Sequence, residues 1–125
     1  IRLKYSAFKL TIRLDANGAF LADEAALQLK ELCRFEIHSI EQPIKANNWD
    51  AMQRLCSERK IDIALDEELI GVKIGQDGEK MLRYIKPQYI ILKPNLIGGL
   101  KNNANDSSFK IGKNLTTQIF LSIFY

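Results

Sequence analysis

Hydrophobic positions along this chain switch between two periods. Short β-prone runs at residues 11–15, 37–41, 63–66 and 89–93 have the composition of strands. Between them, apolar residues recur every three or four positions, as on the buried stripe of a helix. Ala22, Ala25, Ala26, Leu29, Leu32 and Cys33 predict a helix over 22–33. Asp23 and Glu24 would fall in its first turn, where acids favour the helix dipole. Trp49, Met52, Leu55 and Cys56 predict a second helix running to about Arg59, with Asn48 as its N-cap. Met81, Leu82 and Ile85 predict a third from about Asp77, weakened by Gly75 and Gly78. Strands alternating with helices imply parallel strands and right-handed crossovers.

The strand runs share one design. Each ends on a charged residue and is then broken. Residues 11–15 end on Asp15 before the turn Ala16-Asn17-Gly18, in which Gly18 can take a positive φ and Asn17 tolerates one. Residues 37–41 end on Glu41, two positions before Pro43, which cannot donate to a sheet. Residues 61–66 end on Asp66, and residues 89–93 end on Lys93 before Pro94. These tips recur roughly every 26 residues, close to the ~31 that one β/α unit of a (β/α)8 barrel occupies. The fold class expected is therefore α/β: a partial (β/α)8 TIM barrel of about four parallel β/α units. A flavodoxin-like or other non-catalytic α/β binding domain is the alternative.

Three acidic tips on adjacent parallel strands would face one basin. Neighbouring strands lie about 4.8 Å apart, so Asp15, Glu41 and Asp66 can share one ion. An all-oxygen carboxylate set suits a hard divalent cation, most simply Mg2+. Such an ion would also neutralise acids that resist ionising side by side. Lys93, on the next strand, would face the same basin and could stabilise an enediolate or move a proton. Taken singly, each acid could be no more than a turn former. His38 reads as a core or inter-layer histidine. Glu67 and Glu68 could support the third acid, cap a helix or be solvated.

Composition narrows the field without changing it. The 125 residues suffice for one domain, 46% are hydrophobic, and the net charge is +3. Lysines and arginines are scattered, with no basic stripe that would suit nucleic acid. Cys33 and Cys56 lack zinc spacing and read as two buried thiols in a reducing compartment. No apolar run reaches the ~18 residues of a membrane span. Residues 101–108 are rich in Asn, Asp and Ser and read as loop or disorder, followed by a β-prone end.

The stretches Asp15-Ala16-Asn17-Gly18, Ile40-Glu41-Gln42-Pro43, Ala64-Leu65-Asp66-Glu67 and Leu92-Lys93-Pro94 resemble the enolase superfamily, muconate-lactonizing subgroup. The resemblance covers about residues 11–99. It implies that Asp15, Glu41 and Asp66 bind Mg2+, with Asn17 behind them. It implies that Lys93 stabilises the enediolate of a small-molecule carboxylate substrate, as a lysine does in that superfamily. The activity implied is that of a cytoplasmic carbon–oxygen lyase, a dehydratase on the route to menaquinone. A dipeptide epimerase would share the same acids and lysine. The superfamily's second lysine would fall ahead of Ile1, because Lys4 and Lys9 are too near Asp15. The expected division is therefore residues 1–100 as part of a catalytic barrel, inactive alone, and 101–125 as a non-matching tail. The expected reading is an internal fragment whose open sheet edges invite self-association.

Overall fold

The computed structural model describes residues 1–70, 76–92 and 118–121. Five strands form one sheet: β1 (Arg13–Asp15), β2 (Ser39–Glu41), β3 (Asp62–Leu65), β4 (Tyr89–Leu92) and β5 (Gln118–Leu121). All neighbouring pairs are parallel, and the order is sequential from β1 to β5. Among the described residues three helices stand between β1 and β4: α1 (Ala25–Cys33), α2 (Trp49–Glu58) and α3 (Gln76–Ile85). A doubly wound sheet reverses its strand order at a switch point. This sheet has none, which removes the flavodoxin-like alternative. Residues of α1, α2 and α3 share one buried core with β2 and β3, so these helices cover the same face of the sheet, as in a barrel wall. The fifth strand exceeds the four units expected, and it lies within the stretch read as a non-matching tail.

Alternation along the strands sorts the two faces. Leu14, Ile40 and Ile63 are register partners across β1, β2 and β3. Ile40, Ile63 and Leu65 join Ala25, Leu29, Met52, Leu55, Met81 and Ile85 in one buried core, with Leu14 packed against it. Full burial of each large side chain is worth about 1.5–3 kcal/mol, so this layer holds the helices to the sheet. The opposite face carries Asp15, Glu41, Ala64, Tyr89 and Ile91, of which Ala64, Tyr89 and Ile91 form a second small cluster.

Several local expectations are corrected. The strands are shorter than their β-prone runs, because pairing begins only at Arg13 and Ser39. Helix α1 starts at Ala25, so Asp23 and Glu24 precede it, and Glu24 is its N-cap without a side-chain cap bond. Asn48 stands at the N-cap of α2 but makes no side-chain cap bond either. Cys56 is buried, whereas Cys33 is exposed. His38 precedes β2 and is exposed rather than core. Its ring lies 5.4 Å from that of Tyr89, and its Nδ1 is 3.1 Å from Ser39 Oγ. Near the start of the chain, the Arg2 guanidinium donates to the Phe35 and Glu36 carbonyls just past α1, and to the Leu10 carbonyl. A cation there suits the negative end of the helix dipole.

Candidate active site

Parallel pairing places the C-terminal ends of β1 to β3 along one rim. Asp15 is the last residue of β1 and Glu41 the last of β2, and the two are direct register partners. Glu41 in turn pairs with Ala64 of β3. Asp66 lies two residues past Ala64, immediately after β3 and before a 3-10 turn at Glu67–Leu69. In a sheet, register partners and residues two apart share a face. Asp15, Glu41 and Asp66 therefore belong to the face away from the helices. Their environments are graded: Asp15 is exposed, Glu41 half-buried and Asp66 only 5% exposed.

The rim is tied together by backbone and side-chain bonds. Past β1 the chain turns with Asn17 at φ 46° and Gly18 at φ 69°, both in the left-handed region. A Cβ on Gly18 would meet the Lys45 Cα at 3.1 Å, so the close passage of the β2 loop requires glycine there. The Asn17 amide donates to Asp15 Oδ1 at 2.9 Å, which holds that carboxylate in an Asx turn. The Ala16, Gly18 and Phe20 amides donate to the Glu41, Gln42 and Pro43 carbonyls. Thus the turn after β1 is stitched to the end of β2.

A second tie joins β2 to β3. Gln42 is fully buried and has φ 37°, so the strand breaks there and its side chain swings towards the turn after β3. Its Oε1 accepts from the Asp66 and Glu68 amides at 3.2 and 3.3 Å. Its Nε2 donates to the Ile44 carbonyl at 3.0 Å and to Glu68 Oε2 at 3.2 Å. Glu68 is 4% exposed and also accepts from the Asn47 amide at 2.8 Å. Of the roles left open for Glu68, these bonds and its burial set aside the solvated and capping ones and leave support of the third acid. Sequence reasoning passed over Gln42 altogether. Its signal was a polar residue between Glu41 and Pro43 in an otherwise apolar setting.

The donor set fits a hard cation in kind, since all three acids are oxygen ligands on one face. The structure aligns them without gathering them. Among the described residues, no group of three or more His, Cys, Asp and Glu is close enough to hold an ion. Lys93 lies outside the described residues. Asn17 contributes its backbone amide to Asp15, and its side chain is exposed.

Comparisons with known proteins agree with this architecture. The family model described as Enolase C-terminal domain-like matches residues 3–103. Over 99 residues, or 79% of the chain, the sequence is 52% identical to an o-succinylbenzoate synthase from Desulfotalea psychrophila. A more distant relative, an L-Ala-D/L-amino acid epimerase from Maribacter sp., is 30% identical over 56% of the chain. The chain spans only 27% and 20% of the lengths of these two relatives. The crystal structure of MenC from Desulfotalea psychrophila superposes with a TM-score of 0.87 at 41% identity, over 97% of this chain and 33% of that one. A dipeptide epimerase from Enterococcus faecalis, 21% identical, superposes at 0.72 over 92% of this chain and 32% of that one, which speaks for the fold alone. With the model match covering most of its length, the chain belongs to the Enolase C-terminal domain-like family, within the enolase superfamily.

Proposed function

We propose that this chain supplies the acidic rim of an o-succinylbenzoate synthase, a Mg2+-dependent dehydratase acting through an enediolate. The observation that carries the reading is the register of the rim. Asp15 and Glu41 are opposed, and Asp66 follows two residues after the partner of Glu41 on the same face. The 52% identity to a named o-succinylbenzoate synthase supports this activity over the epimerase, whose relative is 30% identical over a shorter stretch.

Asp15, Glu41 and Asp66 would hold the cation. When bound, Mg2+ supplies positive charge that steadies a substrate carboxylate and lowers the cost of removing the adjacent α-proton. The residues of the chain then divide the remaining work. The buried position of Asp66 limits water around its own carboxylate, which strengthens its pull on any cation. Lys93, two residues past Ile91 in sequence, would be the cation that offsets the enediolate charge, as the resemblance to the superfamily implies. The α-proton would pass to a lysine base of the kind the superfamily carries, which would return it to the departing hydroxide, so that water leaves and the aromatic succinylbenzoate remains, destined for menaquinone synthesis in the cytoplasm.

Titration of the folded chain with Mg2+ tests the reading. Saturable binding that is lost in Glu41→Ala or Asp66→Ala supports it. Binding unchanged in both variants removes it. In the whole protein, formation of o-succinylbenzoate without dipeptide epimerisation separates the two activities.

A further inference from the structure

We propose that Gln42 is a positioning residue for the cation site, and that Glu68 acts through it. The inference rests on the reading of Asp15, Glu41 and Asp66 as the metal rim. Four hydrogen bonds converge on the Gln42 amide, and every partner lies in the segment that follows β2 or β3. Two are accepted by Oε1 from the Asp66 and Glu68 amides, and two are donated by Nε2, to the Ile44 carbonyl and to Glu68 Oε2. The orientation of the amide follows from its partners, since two N–H groups face one end and two oxygens face the other.

The covalent neighbour of Gln42 is Glu41, and its hydrogen-bonded neighbour is Asp66. One rigid amide therefore fixes the backbone of two of the three acids relative to each other. The main chain of Gln42 extends the same frame. Its carbonyl accepts from the Gly18 amide at 2.7 Å, in the turn that follows Asp15, and its amide donates to the Ala64 carbonyl at 2.9 Å. All three acidic tips are thus referenced to this residue. Its left-handed φ of 37° is an uncommon conformation for a side chain of this size. Full satisfaction of the buried amide holds it there. Glu68 completes the frame by fixing the loop after β2 through the Asn47 amide at 2.8 Å.

A purely structural glutamine is available for contrast. Gln88 also bridges backbone groups, accepting from the Ile63 amide at 2.9 Å and donating to the Cys56 carbonyl at 3.3 Å. It touches the near end of β3, away from the acidic rim.

The test compares Mg2+ affinity with folding stability in Gln42→Leu, Glu68→Gln and Gln88→Leu of the full chain, at a temperature where circular dichroism shows each folded. Gln42→Leu is expected to weaken Mg2+ binding at least about tenfold. Gln88→Leu is expected to lower the unfolding midpoint while keeping Mg2+ affinity within about twofold, since it holds no rim residue. If Gln42→Leu does not fold, Glu68→Gln carries the test. It keeps an acceptor for Asn47 but removes the one for Gln42 Nε2, and roughly three- to tenfold weaker binding is expected. Mg2+ affinity within twofold of the parent chain in the folded Gln42 variant overturns the positioning role, as it does in Glu68→Gln when that variant is decisive. A parent chain that binds no Mg2+ fails differently: it overturns the metal reading itself, and this role with it.

Discussion

Asp15 and Glu41 stand directly opposite one another at the ends of adjacent parallel strands. Two carboxylates in that relation gain nothing from each other without a cation, because like charges opposed across strands are destabilising. Their placement is legible as function rather than as packing. The helix-facing partners one residue earlier, Leu14 and Ile40, already secure the register. The acids are therefore free to be chosen for what they bind.

Asp15→Asn should separate those two roles. The amide oxygen of asparagine can still accept from the Asn17 amide, so the turn is retained. Asp15 is exposed, and folding stability should move by less than about 0.5 kcal/mol without added metal. Mg2+ affinity should nevertheless fall at least about tenfold, because an anionic ligand is lost. Urea denaturation and calorimetric titration on the same preparation measure both quantities. An unchanged affinity would remove Asp15 from the ligand set.

Gly18→Ala should damage the same corner through the backbone. Gly18 has φ 69°, and an added Cβ would lie 3.1 Å from the Lys45 Cα and 3.2 Å from its nitrogen. Those atoms are main chain and cannot rotate away. The loss should exceed about 1 kcal/mol in urea denaturation. A neutral result would mean that the β1 turn and the β2 loop can separate without cost.

The helix-facing layer predicts a larger loss at a residue remote from the rim. Met52 is 0% exposed on α2, within the core that joins the helices to the sheet. Met52→Ala should cost about 2–5 kcal/mol through lost burial and the cavity left behind. Because it lies on the helix layer, Mg2+ affinity of the remaining folded chain should be unchanged. Thermal unfolding with and without Mg2+ reads both effects.

Much of this architecture could be read from spacing. The three acidic tips, the turn at Asn17 and Gly18 and the stripe Trp49, Met52, Leu55 and Cys56 depend on local sequence, and local sequence carries them. What escaped depends on neighbours distant in the chain. Gln42 meets Asp66 and Glu68 only after two strands have paired, so nothing near residue 42 announces its four bonds. Glu68 looks like any acid in an acidic turn until the loop at Asn47 closes over it. Cys33 and Cys56 both sit on apolar stripes, yet Cys33 is the last residue of α1 and emerges from the layer. Strand ends were overrun because a β-prone residue such as Thr11 pairs only if its neighbour extends as far.

That contrast between the two cysteines gives a chemical prediction. Burial alone pushes the Cys56 thiol up to about 12 from 9.0. A neutral, enclosed thiol is a poor nucleophile, whereas reactivity needs access and thiolate. At pH 8 a disulfide reagent should therefore modify one cysteine in the folded chain, Cys33, and the second only in denaturant. The same shift has a consequence for stability. The unfolded chain releases the Cys56 proton near pH 9.0 while the folded chain keeps it, so the unfolded state binds fewer protons above that point. The contribution is fully present below pH 9.0 and is lost as pH rises towards about 12. Replacing Cys56 with alanine should flatten this alkaline slope between pH 9 and 11, though it lowers stability at pH 7 through the cavity. Urea midpoints across that range measure the slope, and a slope equal to that of the parent chain would show that Cys56 is not its source.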